Sequence, residues 1–318
     1  MALGWGRLGH EWIAVYGSRL ATTNSFFKLN ENSMEVFTNT PDNVWKTGAT
    51  ANEERTLHWF QPDAYFSRAE EFVKIPQQYS KINQKFGEDF VEKNGRAPWR
   101  ILQLYDLCVV ALTQKNFTKA LQMCGTMSHY VGDLSQPLHV TKNYDGQESN
   151  QKGLHAFFES SNLLNRLNGT IENEILRDAK RLMDDPNYRK NFEGPLTEIV
   201  FQQIYRSYAE LENVLEIDQK FGRKGTGASK QWQLAKLRIV DGVASLALIL
   251  DRAWIEAGLN STDGQQINPP VPSFVNAEFY DDDSKSQKIS QKISQMKIVS
   301  EFFLPTEATE ECELDHSH

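Results

Sequence analysis

Apolar residues recur at three- and four-residue spacing through Leu8–Leu20, Trp99–Gln114, Phe117–Leu134, Leu154–Leu167, Ile171–Met183, Pro195–Val214 and Lys230–Ala257. No stretch shows the alternation and hairpin turns of a sheet. The pattern therefore predicts an all-α, multi-helix bundle. Some helix ends are legible: Asn116 or Thr118 is placed to cap the helix starting near Phe117, and Pro137 and Gly258 stand just past helical patterns. The longest apolar runs, such as Val240 to Leu250 with Asp241 inside, fall short of the ~20 residues that span a bilayer, which predicts a soluble protein. After about residue 260 the periodicity stops. Asn268-Pro-Pro-Val-Pro-Ser273 reads as a linker, Gln-Lys-Ile-Ser nearly repeats within Ser286–Ser294, and Glu307–His318 is acidic. The pattern divides the chain into a domain over residues 5–260 and an acidic C-terminal extension over 261–318. That extension reads either as a strand-and-helix piece or as partly disordered.

Charge changes this picture more than size does. The 318 residues carry a net charge of −8. Residues 262–318 hold 11 acidic and 4 basic side chains, a net −7, which leaves the helical body at −1. A nearly neutral body lacks the basic stripe of a protein that tracks a phosphate backbone. Phosphate chemistry here would need positive charge from another source, such as a metal. Cys108, Cys124 and Cys312 are widely spaced and odd in number, suggesting neither a thiolate metal site nor a disulfide lattice. Sequons stand at Asn116, Asn168 and Asn260. Met1–Gly4 is no complete signal peptide, but Ala2-Leu3-Gly4 has the small-x-small character of a cleavage site before Trp5.

Histidine is where chemistry concentrates. His129 and Asp133 lie four apart in a helical segment, so both side chains share one face about one turn apart. Pro137 ends that helix and His139 follows. His155 and Glu159 repeat the four-residue spacing. Imidazole nitrogens with carboxylate oxygens suit zinc, and an open coordination position makes such a site catalytic. A single pair of this kind is commonly a surface pair or a satisfied buried histidine; two pairs within 31 residues, with His139 between them, point to metal.

The segment His129-Tyr-Val-Gly-Asp-Leu-Ser-Gln-Pro-Leu-His139 resembles the central motif of the bacterial zinc-dependent phospholipases C and the related fungal single-strand-specific nucleases. Trp5-Gly-Arg-Leu-Gly-His10 resembles their mature N-terminus, and His155 with Glu159 their last ligand pair. The similarity runs from about Trp5 to Gly258. It implies an all-α bundle holding three zinc ions. One would take Asp42, His58, His129 and Asp133. A second would share Asp133 and use His10 with the amino group and carbonyl oxygen of Trp5. The third would take His139, His155 and Glu159. Asp42 is chosen because Pro41-Asp42 precedes His58 at about the family's separation, with Asp63 as the fallback. A backbone nitrogen binds zinc only as a free amine, so this arrangement requires removal of Met1–Gly4, which implies a secreted or periplasmic protein.

The resemblance further implies hydrolysis of phosphate esters by metal-activated water, with Asp42 assisting the water. No GxSxG elbow and no P-loop lysine signature competes with this. For the substrate, Leu57-His-Trp-Phe-Gln-Pro-Asp63 and the short span from His139 to His155 resemble the phospholipases, whereas Trp5-x4-His10 is closer to the nucleases. Trp59 and Phe60 are placed to flank a choline headgroup or stack on a nucleobase, or else belong to the core. Lys46 and Arg55 are candidates for phosphate contacts or a solvated surface. The leading expectation is a monomeric phospholipase C touching membrane surfaces transiently. The alternatives are a single-strand-specific endonuclease or 3′-nucleotidase, and a non-catalytic zinc-binding scaffold.

Overall fold

The computed structural model describes residues 5–23, 25–47, 51–164 and 170–268, and among these every regular element is helical. The long helices are α1 (Arg7–Leu20), α2 (Glu31–Thr38), α3 (Ala97–Thr113), α4 (Phe117–Ser135), α5 (Ile171–Asp184), α6 (Leu196–Tyr208), α7 (Leu211–Phe221) and α8 (Thr226–Glu256). Helix α4 is the centre. It packs against α3 on one side, α1 and α2 on another, and α6 and α8 beyond. Every one of its residues from Ala120 to Ser135 is buried, so its polar side chains there must find partners or bind something. Helix α8 spans 31 residues and buries Trp232, Ala235, Ile239, Val243, Leu246, Leu250 and Trp254 along one stripe against α1, α4 and α5. Among the described residues no helix is long and apolar enough to cross a membrane.

Local chemistry explains the boundaries. Asn116 Oδ1 accepts the Lys119 amide at 3.3 Å and caps α4. Helix α3 starts at Ala97-Pro98, where the proline's missing N–H costs nothing. The stretch read as one helix over 195–214 is two. Glu210 N–H turns back to the Ser207 carbonyl, and α7 then buries its own stripe of Leu211 and Val214. The helix expected over 154–167 is interrupted by a π-helical turn, Phe157–Ser161, and its last residues lie outside the described ones. A second π-helical turn covers Pro41–Trp45, where the Lys46 amide reaches five residues back to Pro41. Cys108 of α3 and Cys124 of α4 form a disulfide across the α3–α4 hairpin, which their spacing did not suggest. Cys312, Asn168 and nearly all of the expected extension lie outside the described residues, as do Met1–Gly4. Residues up to 268 return to the body, where Asn30 Oδ1 accepts the Ile267 amide and Asn30 Nδ2 donates to the Gln265 carbonyl.

Candidate metal centre

Five imidazoles from distant parts of the chain meet beside α4. His10 comes from α1, His58 from the turn after the short helix Ala51–Arg55, His129 from α4, His139 from the 3₁₀ turn that Pro137 starts, and His155 from the one-turn helix Leu154–Ala156. All five are 3% exposed or less. They fall into three groups with carboxylates, each able to hold a metal ion: Asp42, His58 and His129; His10, His129 and Asp133; and His139, His155 and Glu159.

The first two groups share His129, and Asp133 of the second also reaches His58 of the first. Asp133 Oδ2 lies 3.0 Å from His58 Nδ1 and 3.4 Å from His129 Nε2. Its Oδ1 lies 3.5 Å from His10 Nε2, so the carboxylate faces two ways. Asp42 Oδ1 stands 3.8 Å from His58 Nδ1 and 3.7 Å from His129 Nε2. In the third group His155 Nε2 is 3.1 Å from His139 Nε2 and 2.7 Å from Glu159 Oε2. Tetrahedral zinc with bonds of about 2.0–2.2 Å sets its ligand atoms roughly 3.3 Å apart. The observed spacings fall around that value.

The ring tautomers make the stronger case. A carbonyl oxygen can only accept, so the nitrogen facing it carries the proton. His129 Nδ1 donates to the Thr38 carbonyl at 2.8 Å, His139 Nδ1 to that of His58 at 2.7 Å, and His155 Nδ1 to that of Tyr144 at 2.7 Å. Their Nε2 atoms are then lone-pair acceptors, and those of His139 and His155 point at each other and at a carboxylate. His58 Nδ1 stands 3.0 Å from both His129 Nε2 and Asp133 Oδ2, with no carbonyl to fix its tautomer. Facing lone pairs repel unless a cation lies between them. Both ring nitrogens of His10 are buried without a hydrogen-bond partner, although its ring stacks on His129 with centroids 3.8 Å apart. A buried polar atom left unpaired is costly. These residues fit divalent metal.

Protons do not replace the metal well. Burial, then the neighbouring imidazole of His129, holds His10 well below the usual histidine range. Burial does the same to His58 and His129, and with His155 opposite it pushes His139 down to about 3. Burial, reinforced by the Asp42 charge, drives Asp133 well above the carboxylate range, and burial lifts Glu159 to about 7. For His155 burial is outweighed by the Glu159 carboxylate, and its pKa rises. For Asp42 burial is outweighed by His58 and Lys46, and its pKa falls.

Local backbone aims these groups. Both π-helical turns carry a cluster carboxylate, Asp42 in one and Glu159 in the other. Such turns widen a helix by one residue and recur at functional sites. Gly132 lets α1 approach α4, because a Cβ there would meet His10 Nδ1 at 2.8 Å. Gly153, at φ +80°, starts the turn that carries His155, and Asp145 accepts the amides of Gly153 and His155. Trp5 is fully buried. Its indole donates to Ser135 Oγ at 2.8 Å and lies 5.7 Å from the Phe158 ring, beside both α4 and the Glu159 turn.

No protein-family model matches the chain. A protein of Bradyrhizobium tropiciagri named as a probable serine protease is 39% identical over 57 residues. That stretch is 18% of this chain and 7% of that protein, so the chain spans a small fraction of the relative's length.

The centre opens on a cleft of about 720 Å³ lined by Asp42, Lys46, Asn52, Arg55, Trp59, Gln61, Lys93, Asn94, His139, Tyr144 and His155, among others. Lys46 Nζ lies 2.6 Å from Asp42 Oδ1. Trp59 lines this cleft. Phe60 does not: it is fully buried, with its ring packed against Tyr65, Trp99 and Phe201. Successive residues of an extended segment point opposite ways, so placing Trp59 on the cleft sends Phe60 into the core, which corrects the expectation that both touch substrate. Asp63, the fallback ligand, is engaged elsewhere, accepting from Thr141 Oγ1 at 2.6 Å and from the Lys142 amide. The sequence reading missed Glu54, which is fully buried beside His58, although it stands four residues before His58, the spacing that marks His129 with Asp133 and His155 with Glu159.

Proposed function

We propose that this chain is a metal-dependent hydrolase of phosphate esters belonging to the zinc phospholipase C and single-strand nuclease superfamily that its motifs resemble. The observation that carries the reading is the convergence of five buried imidazoles on three carboxylates, with Asp42, His139 and His155 of that cluster lining a cleft. Asp42, His58, His129 and Asp133 would hold one ion, His10 and Asp133 a second, and His139, His155 and Glu159 a third. Ions bound there supply Lewis-acid charge to a phosphate ester and ease deprotonation of an attacking water. The chain's own residues supply the rest. Asp42, at 15% the most exposed of the three carboxylates, keeps its charge beside Lys46 and His58 and is positioned to accept a proton from water entering by the cleft. The second ion's remaining ligands would be the Trp5 amine and carbonyl, available once Met1–Gly4 is removed. The Cys108–Cys124 disulfide supports the exported protein this demands.

The rim favours one substrate class. Lys46, Arg55 and Lys93 surround the cleft, and Trp59 and Tyr144 offer aromatic surface. That set suits single-stranded nucleic acid or a nucleotide, whose further phosphates meet Arg55 and Lys93 and whose base stacks. The phospholipase reading keeps one argument, the short span between His139 and His155; Phe60 and Asp63 of the Leu57–Asp63 pattern serve packing and loop anchoring instead. Zinc-loaded protein is to be incubated with single-stranded DNA, a 3′-nucleotide, and vesicles of phosphatidylcholine or phosphatidylglycerol. Hydrolysis of the nucleic acid or nucleotide, stopped by a chelator and by Asp42→Asn, is the expected result. Diacylglycerol release without nuclease activity restores the phospholipase. Bound zinc with no hydrolysis leaves a scaffold.

A further inference from the structure

His58 differs from the other imidazoles in what holds its outer nitrogen. His129, His139 and His155 each donate Nδ1–H to a backbone carbonyl, an acceptor that no side-chain replacement removes. His58 faces the centre with Nδ1, and its Nε2 lies 3.2 Å from Glu54 Oε1, one helical turn earlier, without the alignment of a hydrogen bond. Glu54 is fully buried, so its charge needs partners. Tyr130 Oη, on α4 between His129 and Asp133, donates to Glu54 Oε1. Arg100 of α3, also fully buried, brings Nη2 to 3.6 Å from Glu54 Oε2. Its guanidinium lies over the Trp45 ring at 5.2 Å and the Tyr130 ring at 5.8 Å, and Trp45 ends the π-helical turn that carries Asp42.

From this arrangement we infer that Glu54 is a positioning residue of the metal centre: clamped by Tyr130 and Arg100, it fixes the His58 ring with Nδ1 toward the cluster. An imidazole held by a carboxylate is a more basic ligand than one held by a carbonyl, and loss of such an outer partner typically costs about 10–100-fold in metal affinity. A guanidinium and a carboxylate placed in the core only for stability would be a poor choice, because apolar packing at the same position is commonly as good or better. Holding one ring against a cluster that repels itself when empty is a reason to keep them. Contact with Trp45 and Tyr130 also joins the Asp42 turn, α3 and α4 in one unit, so the clamp sets His58 relative to both carboxylates of its group.

The inference rests on reading the cluster as a metal centre, and the experiment separates the two. Apoprotein is titrated with Zn²⁺ against a competing chelator and, separately, with Co²⁺ while the visible absorption of the bound ion is followed. The proteins are the chain freed of Met1–Gly4, so that Trp5 offers its amine, and in the same form Glu54→Gln, which keeps shape and an acceptor but removes the charge, and Tyr130→Phe, which releases the carboxylate. The expected result is three ions in the parent chain, about tenfold weaker binding of one of them in Glu54→Gln, an altered Co²⁺ spectrum for that ion, and a smaller shift of the same kind in Tyr130→Phe. Zn²⁺ affinity and Co²⁺ spectra equal to the parent's in both variants, whatever the change in the melting temperature of the apoprotein, would overturn the role of Glu54. A parent chain that takes up neither ion overturns the metal centre itself.

Discussion

The two ends of the centre are built differently. His139, His155 and Glu159 come from 21 consecutive residues, and the two rings rest on the backbone carbonyls of His58 and Tyr144. The group of Asp42, His58, His129, Asp133 and His10 draws on α1, two turns within residues 41–58, and α4; only His129 rests on a backbone carbonyl, that of Thr38, and Asp133 reaches both His58 and His10. The local group touches the other at two points, the His58 carbonyl and Asp133 Oδ1, which lies 3.5 Å from His139 Nδ1. A distributed group is assembled only when several helices pack correctly, so its affinity and the stability of the bundle are one quantity. The contrast shows that the same donor chemistry can be held by backbone geometry at one end and by the tertiary structure at the other.

The largest expected effect comes from the residue that spans the distributed group. Asp133→Asn removes a carboxylate that faces two candidate ions. Metal analysis should fall from about three ions per chain to about one, and hydrolysis by about 10³-fold, the scale of several kcal/mol of lost charge stabilisation. Helical circular dichroism should persist. Retention of all three ions would break the assignment of Asp133 as a shared ligand. Glu159→Gln should do less: one ion is lost, and the other two stay with their affinities within about threefold, because no ligand is common to both groups. If Glu159→Gln strips the whole centre, the two ends are not independent and the comparison fails.

What the sequence made legible follows from the same contrast. His129, Asp133, His155 and Glu159 stand out because helical spacing puts each pair on one face, and α4 is long and periodic. Asp42 had no such signal. It sits on a π-helical turn within a run of short helices from residue 26 to 93, where apolar spacing breaks too often to define a face. Only resemblance could nominate it. The clamp on Glu54 was invisible because Arg100 and Tyr130 reach it from two other helices, far along the chain from residue 54. Phe60 misled because adjacent aromatics do not reveal which one the chain turns inward. Cys108 and Cys124 form a pair that counting cysteines obscures, since the third, Cys312, makes the total odd.

Gly132→Ala tests the distributed group through shape alone. The added methyl meets His10 Nδ1 at 2.8 Å inside two packed helices. Overpacking of this kind costs about 1–3 kcal/mol, so the apoprotein should melt several degrees lower, and the ion that depends on His10 should bind more weakly while the His139 group keeps its own. Equal weakening at both ends would mean that α1 and α4 position the whole centre rather than half of it.

The smallest effect on metal belongs to the disulfide. Cys108 and Cys124 close a 16-residue separation, for which the loop-entropy account gives about 3 kcal/mol of folding stability. The double Cys108→Ala, Cys124→Ala variant should therefore unfold at lower denaturant while binding the same number of ions. The disulfide touches only the far half of α4, one turn and more before His129, and the intact α3–α4 packing around Leu104, Leu121 and Tyr105 still carries Arg100 and Tyr130 to Glu54. If the variant instead loses the ion of the His58 group at a denaturant concentration where it remains folded, then the α3–α4 hairpin does more than support the fold: its register sets the distributed ligands, and the local end, whose ligands all lie within residues 139–159, should be unchanged in the same sample.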